Sequence, residues 1–354
     1  MKKKKIAIVV ILFLILIGTA YLGVNYYIDS LISKTSVEQE PFDNKELEKT
    51  IVEDNTEKSH KVINFMLVGA DNLDRTVGRE NSYHEERSDV FKIVSLDYTD
   101  KKIKITSLDR DVVVWIPDRL DFGHFNWAYS YGGAKYALNT INYNLDLDVS
   151  KYVSFSFAGF IKVIDIIGGI DVELSEAEAN AFNKMSSSSR SMNCAYIGVN
   201  HLDGRDALTY ARERHIDSDF VRMDRQNVVI KEVINKLKSS SFDELLDVIN
   251  TCLPYITTNL TNKEIKNFLL DVIGFDLVNI ETQTYPKDRQ KDVCVNTNSL
   301  GGYLVRSYSN QVIELHKYIY GTETYTPTQN IYNNEKETYD KYGNFYENSS
   351  LLPW

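Results

Sequence analysis

Val62-Ile63-Asn64-Phe65-Met66-Leu67-Val68-Gly69-Ala70-Asp71 is an apolar run, broken only by Asn64, that ends on a glycine and an acid. Its length and its stop at Gly69 predict a buried strand over 62–68. Two more strands are predicted over 90–96 and 103–108, and Tyr98-Thr99-Asp100-Lys101 between them suits a tight turn, so these two should form a hairpin. Further along, 133–144 has helical spacing, 152–157 reads as a short strand, 160–167 as a helix stopped by Gly168-Gly169, and 170–174 as another strand. Residues 203–212, 220–237, 242–250 and 262–273 read as helices. Strands interleaved with helices imply an α/β fold, a mixed central sheet flanked by helices in an α/β/α sandwich.

The 354 residues suffice for one sizeable domain or two small ones, and no internal repeat is evident. Lys2, Lys3, Lys4 and Lys5 precede an uncharged apolar run over 6–24. About 20 such residues span a bilayer as a helix, and flanking lysines stay in the cytoplasm. The chain therefore divides into a cytoplasmic tail over 1–5, a transmembrane anchor over 6–27 and an acidic stalk over 28–60, part helix and part linker. A catalytic domain follows over 61–240, an extension of the same domain over 241–320 and a polar tail over 321–354. A cleaved signal peptide is the rival reading of the N-terminus, but the run is long for a signal core and Gly18-Thr19-Ala20 is a weak cleavage site. Loops are expected over 74–86 and at Ser186-Ser187-Ser188-Ser189. The tail, rich in Thr, Tyr and Asn with little aliphatic content, is expected to be disordered or loosely packed.

The formal charge of −10 argues against a nucleic-acid partner, which would want a basic field. Three cysteines outside the membrane, Cys194, Cys252 and Cys294, allow one disulfide and one free thiol, with Cys252–Cys294 the expected pair. Neither their spacing nor the scattered histidines suggest a zinc site.

Against this acidic background Tyr210-Ala211-Arg212-Glu213-Arg214, followed by Asp219, Arg222, Arg225 and Gln226, stands out. Guanidinium forks grip phosphate oxygens in pairs. A solvated helix face is the plainer explanation of such a charge cluster, but Asp219, Arg222 and Gln226 fall on one face of a helix. Three more segments carry charge where apolar strands begin or end. Asp71 follows the first strand, Glu86-Arg87-Ser88-Asp89 leads into the second, and Ser107-Leu108-Asp109-Arg110-Asp111 closes the third. Ligand sites in α/β sheets lie outside the carboxyl ends of strands. Asp71 and Asp89 could hold magnesium beside a bound phosphate, Arg110 could contact the phosphate, and Asp111 could orient Arg110. Turn capping by Asp71 and local ion pairs at Arg87 and Arg110 are the structural alternatives.

These segments resemble the LytR-CpsA-Psr family of cell-envelope proteins. The resemblance spans about 62–240. It rests on Gly69-Ala70-Asp71, Arg87-Ser88-Asp89, Ser107-Leu108-Asp109-Arg110-Asp111 and Asn126-Trp127-Ala128-Tyr129-Ser130-Tyr131-Gly132-Gly133. It continues through Ile167-Gly168-Gly169-Ile170, Leu202-Asp203-Gly204, Ala207-Leu208-Thr209-Tyr210-Ala211-Arg212-Glu213-Arg214, Asp219, Arg222 and Arg225-Gln226.

The resemblance implies a phosphotransferase that moves a glycopolymer from a polyprenyl-pyrophosphate carrier onto peptidoglycan, outside a Gram-positive cell membrane. It implies Mg2+, or Mn2+ in its place, on Asp71 and Asp89. Arg87, Arg110, Arg212, Arg214 and Arg222 would grip the phosphates, with Asp219 and Gln226 positioning them. Arg110, Asp111 and Asp219 would be catalytic, either acid serving as base, and the lipid tail would fill an apolar channel lined from 155 to 167. The chain departs from the family's usual residues at Leu73, Asp109 and His124, where an arginine, a proline and a lysine are common. A hydrolase on the same donor, a non-catalytic polyprenyl-phosphate binder and a transcriptional regulator are the rival functions. The anchor and acidic charge disfavour the regulator, and the paired acids disfavour the binder.

Overall fold

The computed structural model describes residues 30, 38–39, 61–70, 88–185, 191–192, 194–213, 216, 219–272, 275–287, 293–297 and 302–342. The expected anchor over 6–27, most of the stalk, the loops over 74–86 and 186–189, and residues 343–354 lie outside that set. Among the described residues no helix is long and apolar enough to cross a membrane.

The strands are β1 (Glu38–Gln39), β2 (Val62–Ala70), β3 (Ser88–Asp97), β4 (Lys102–Leu108), β5 (Val113–Ile116), β6 (Asp121–His124) and β7 (Lys151–Ser156). They continue as β8 (Ile170–Leu174), β9 (Gly198–Leu202), β10 (Ile256–Thr258), β11 (Asp276–Tyr285), β12 (Val293–Thr297) and β13 (Gly302–Val305). The helices are α1 (Phe125–Leu145), α2 (Phe157–Ile166), α3 (Glu176–Lys184), α4 (Gly204–Arg212), α5 (Asp219–Ser239), α6 (Phe242–Cys252), α7 (Asn262–Val272), α8 (Tyr308–Tyr320) and α9 (Gln329–Tyr342).

A seven-stranded sheet in the order β1-β10-β7-β2-β3-β4-β11 forms the centre. It is mixed: β2 is parallel to β7, β11 to β4 and β1 to β10, while β2–β3, β3–β4 and β10–β7 are antiparallel. The expected hairpin is β3–β4, with Asp97 opposite Lys102 and the Asp97 carboxylate accepting the backbone N–H groups of Thr99 and Asp100.

Alternate residues of each strand face opposite layers. Met66, Val68, Phe91 and Ile93 pack with Leu138, Ile141, Val312, Ile319 and Ile331 of α1, α8 and α9. On the other face Leu96, Ile103 and Ile105 pack with Phe65, Val94, Ile230 and Phe268. Both faces being covered is what an apolar run such as 65–68 requires.

α1 contains a kink. Gly133 has φ +63° and ψ −152°, a backbone region that side chains rarely adopt. The break divides the turns that carry Phe125 and Tyr129 from Ala134–Leu145, and both parts bury side chains in the same core.

Two expectations need correction. The stretch after Gly321 is not loosely packed through residue 342. Tyr325 stacks on His316 at a ring-centroid distance of 3.6 Å and donates its hydroxyl proton to Asp146. Thr328 gives Asp146 both a backbone and a side-chain hydrogen bond of 2.7 Å, and Ile331 is wholly buried. A segment with few aliphatics still packs here, because tyrosines bury their rings while the hydroxyls find partners. The expected Cys252–Cys294 disulfide is also wrong on the Cys252 side. Cys252 is a free thiol at the end of α6; burial pushes its pKa up to about 12, and the neutral thiol packs as a small apolar side chain.

Candidate active site

Register places the predicted segments at one end of the sheet. Gly69 and Ala70 pair with Phe155 and Ser156 of β7, and Ala70 also lies opposite Ser88 of β3. Lys92 of β3 lies opposite Ser107 of β4, so Asp109-Arg110-Asp111 leaves the sheet at that same end. Asp71 is the residue after Ala70, and Asp89 lies in β3 beside Ser88, so the strand ends that carry both acids are neighbours. Asp71, Arg87 and Arg214 lie outside the described residues, as do the side chains of Asp89 and Asp219, although Asp219 opens α5.

Behind this sheet end lies a cavity of ≈ 240 Å³ between β2, β3, β7 and helices α2, α4 and α5. Phe155, Phe157, Phe160, Val163 and Ile164 line it, the stretch expected to form an apolar channel. α2 and α4 wall it closely, because Gly204 brings its backbone against Ile161, where an added Cβ would meet the carbonyl oxygen at 2.2 Å. Asp203 caps α4 by accepting the Asp206 N–H at 2.9 Å, and the Asp206 carboxylate holds the backbone of Ser191 and Met192 at 2.7 and 3.0 Å.

Polar groups enter this apolar wall at a few points. Arg212 ends α4, is exposed, and lies with its guanidinium 4.6 Å from the Phe157 ring centre. Gln226 of α5 also lines the cavity. Arg222 lies one turn earlier on the same face and is 2 % exposed. Arg212 and Gln226 therefore meet at one cavity, and Arg222 lies on the α5 face that carries Gln226, the face shared by those two residues in the helical spacing.

Arg110 follows β4. Its Nε lies 3.5 Å from Asp111 Oδ1. Asp109 fixes this turn. Its N–H donates to the Tyr285 carbonyl at 3.0 Å, and its carboxylate accepts the Asp111 N–H at 3.0 Å. His124 ends β6 opposite Val113, two residues after Asp111. Burial first, then the charge of Arg110, lowers its pKa to about 4, so it is neutral at pH 7.

Two features were not foreseen. Lys92 lines the cavity, and its Nζ donates to Ser107 Oγ at 2.6 Å and Asn227 Oδ1 at 2.8 Å. A lysine inside the apolar stretch 90–96 was the available signal. Arg225 is structural, donating to the Glu213 carbonyl at 2.7 Å and lying 3.6 Å from Glu178 of α3. Spacing alone does not separate it from Arg222, because both are buried on one helix. Among the described residues no group of three or more His, Cys, Asp or Glu gathers to hold a metal ion.

A family model described as the LytR_cpsA_psr family matches residues 25–314. The chain is 30% identical over 212 residues to the polyisoprenyl-teichoic acid–peptidoglycan teichoic acid transferase TagU of Enterococcus faecalis, covering 58% of this chain and 64% of that one. It is 30% identical over 181 residues to the corresponding transferase TagT of Bacillus subtilis, covering 51% and 55%. The chain thus spans less than two thirds of the length of each of these two relatives. Among solved structures it is similar to TagT bound to LIIa-WTA, with a TM-score of 0.56, 23% identity, and 81% and 96% of the chains covered. Protein gbs0355 from Streptococcus agalactiae aligns with a TM-score of 0.64, 21% identity, and 82% and 97% covered. These two likenesses establish the fold.

Proposed function

The chain belongs to the LytR-CpsA-Psr family, and on that footing we propose that it is a membrane-anchored, extracytoplasmic phosphotransferase. It moves a glycopolymer from a polyprenyl-pyrophosphate carrier onto peptidoglycan through a phosphodiester. One observation carries this reading: an apolar cavity between sheet and helices has Arg212 and Gln226 in its wall, with Arg110 leaving the same end of the sheet. An apolar cavity with a guanidinium in its wall suits a ligand with a hydrocarbon tail and a pyrophosphate head.

In this reaction a peptidoglycan hydroxyl attacks the phosphorus that carries the glycan. The P–O bond to the lipid-bearing phosphate breaks, that phosphate leaves with the polyprenyl chain, and the hydroxyl proton passes to a carboxylate. Asp111 or Asp219 takes the proton. Arg110, Arg212 and Arg222, with Arg87 and Arg214, neutralise charge building on the phosphate oxygens, and Gln226 orients them. Positioning and charge neutralisation account for most catalysis of phosphoryl transfer.

Asp71 and Asp89 suit magnesium, with manganese able to replace it. Two hard carboxylates on neighbouring strand ends are the donor chemistry that such an ion shares with phosphate. Bound there, the ion would offset negative charge on the pyrophosphate. The anchor over 6–27 confines the enzyme to the surface that holds its donor, which raises the effective concentration of each for the other.

The test uses full-length chain in detergent with a lipid-linked glycan donor and peptidoglycan. Phosphorus NMR should detect a new phosphodiester on the glycan strand. Free phosphorylated polymer, formed equally without peptidoglycan, would make the protein a hydrolase. An unchanged donor would reduce it to a carrier-binding protein.

A further inference from the structure

Beyond the phosphate site, a run of aromatic side chains leads outward from Arg110 along the first turns of α1. The His124 ring lies against Trp127 with centroids 4.3 Å apart and planes at 31°. Trp127 meets Tyr131 edge to face at 6.4 Å, and Arg119 lies over the Tyr131 ring at 3.9 Å. Most aromatics of this segment serve the core: Phe122, Phe125 and Tyr129 are all buried. Trp127 and Tyr131 are left half-exposed, and Arg119 is exposed.

Two buried polar atoms flank Trp127. His124 Nε2 and Asn126 Oδ1 have no hydrogen-bond partner among the described residues, although a buried polar atom normally has one. His124 is 4 % exposed. It faces Arg110, Trp127 and the backbone of Gly302, where an added Cβ would lie 2.3 Å from its Nε2.

We propose that Trp127 and Tyr131 form a stacking surface for a pyranose ring beside Arg110, with Arg119 placed to meet an acidic group on the same glycan. The inference rests on the transferase reading, which requires saccharide on both sides of the reacting phosphorus. The C–H faces of a sugar ring carry partial positive charge and suit the negative face of indole or phenol. A neutral His124 supports Trp127 as a second flat ring and adds no like charge beside Arg110. Arg119, fixed on Tyr131 by cation–π contact, keeps its outward edge for an anion. The sugar can belong to the donor polymer or to the peptidoglycan strand, and the chemistry of recognition is the same.

The experiment compares full-length wild type, Trp127→Ala, Trp127→Phe and Arg119→Ala in one detergent. It measures KM for a lipid-linked glycan donor, KM for a peptidoglycan fragment, and Kd for sugar-free undecaprenyl phosphate. Trp127→Ala should raise one of the two KM values about tenfold while kcat changes less than about twofold, and Trp127→Phe should recover most of the loss. A raised donor KM assigns the sugar to the polymer; a raised acceptor KM assigns it to peptidoglycan. Kd for the sugar-free lipid should not move. If Trp127→Ala does not fold, the exposed Arg119→Ala decides, and its same-substrate KM should rise about threefold. Unchanged KM values in the folded variants, or a parallel loss of sugar-free lipid binding, would overturn the proposal alone. Wild type that does not bind the sugar-free lipid would overturn the transferase reading and this proposal with it.

Discussion

The Arg212 guanidinium lies 4.6 Å from the centre of the Phe157 ring, and both side chains line one apolar cavity. A cation over an aromatic face is held in direction without losing its hydrogen-bonding edge. The contact joins the end of α4 to the start of α2, the two helices that Gly204 brings together. It puts the most exposed of the described arginines in the cluster where apolar wall meets polar end.

Arg212→Ala should lower kcat/KM about 10²–10³-fold, the size of a lost oxyanion contact. Because the side chain is exposed and lies over the Phe157 ring, unfolding free energy should fall by no more than about 1 kcal/mol. Arg212→Lys should recover little, since an ammonium lacks the planar fork that stacks on Phe157 and grips two oxygens. Steady-state kinetics beside thermal unfolding separate the two effects; normal turnover in the alanine variant would remove Arg212 from the site.

Asp71→Asn and Asp89→Asn should each abolish the response of activity to added magnesium as well as most activity, because each removes a hard ligand. Titrating the metal into each variant under transfer conditions checks this. A variant with an unaltered magnesium response would place the ion elsewhere.

His124 should make the fold sensitive to mild acid. Its folded pKa of about 4 lies below the ordinary histidine value, so the unfolded chain binds the proton first as pH falls. Its contribution to stability is therefore complete above about pH 6.5 and is lost progressively toward pH 4. Denaturant midpoints at pH 7 and pH 5 should differ less in His124→Gln than in wild type. Equal differences in the two proteins would mean that His124 is not held neutral.

Ile331→Ala in α9 should destabilise the protein by about 2–5 kcal/mol, the usual cost of a large-to-small change in a packed core. Ile331 is wholly buried against the α1 and α8 layer. Urea unfolding with an unchanged m-value reads this directly. A cost near zero would make residues 329–342 an appendage.

The central strands were legible because 62–68, 90–96 and 103–108 carry the apolar signal of covered β-structure, and the turn between the last two is made by Asp97–Lys101. Arg110, Arg212, Arg222 and Gln226 were legible because charge interrupts apolar pattern at strand ends and on one helix face. Other parts were masked by their own chemistry. Gly132-Gly133 hides the first half of α1, since a kink breaks the helical period. The tail binds through tyrosine rings and Asp146, a pattern without aliphatic periodicity. Lys92 interrupts an apolar run, but the run reads as strand whatever that side chain does, and its burial beside Ser107 and Asn227 is what gives the interruption meaning.

The most direct test of the central claim is mass spectrometry of organic extracts from purified full-length protein and its Arg222→Ala variant, before and after incubation with polyprenyl pyrophosphate and magnesium. The cavity and arginine assignment predicts a stoichiometric polyprenyl phosphate or pyrophosphate in wild type and its loss in the folded variant. No lipid in either sample after loading would contradict it and return the arginine cluster to a set of structural ion pairs.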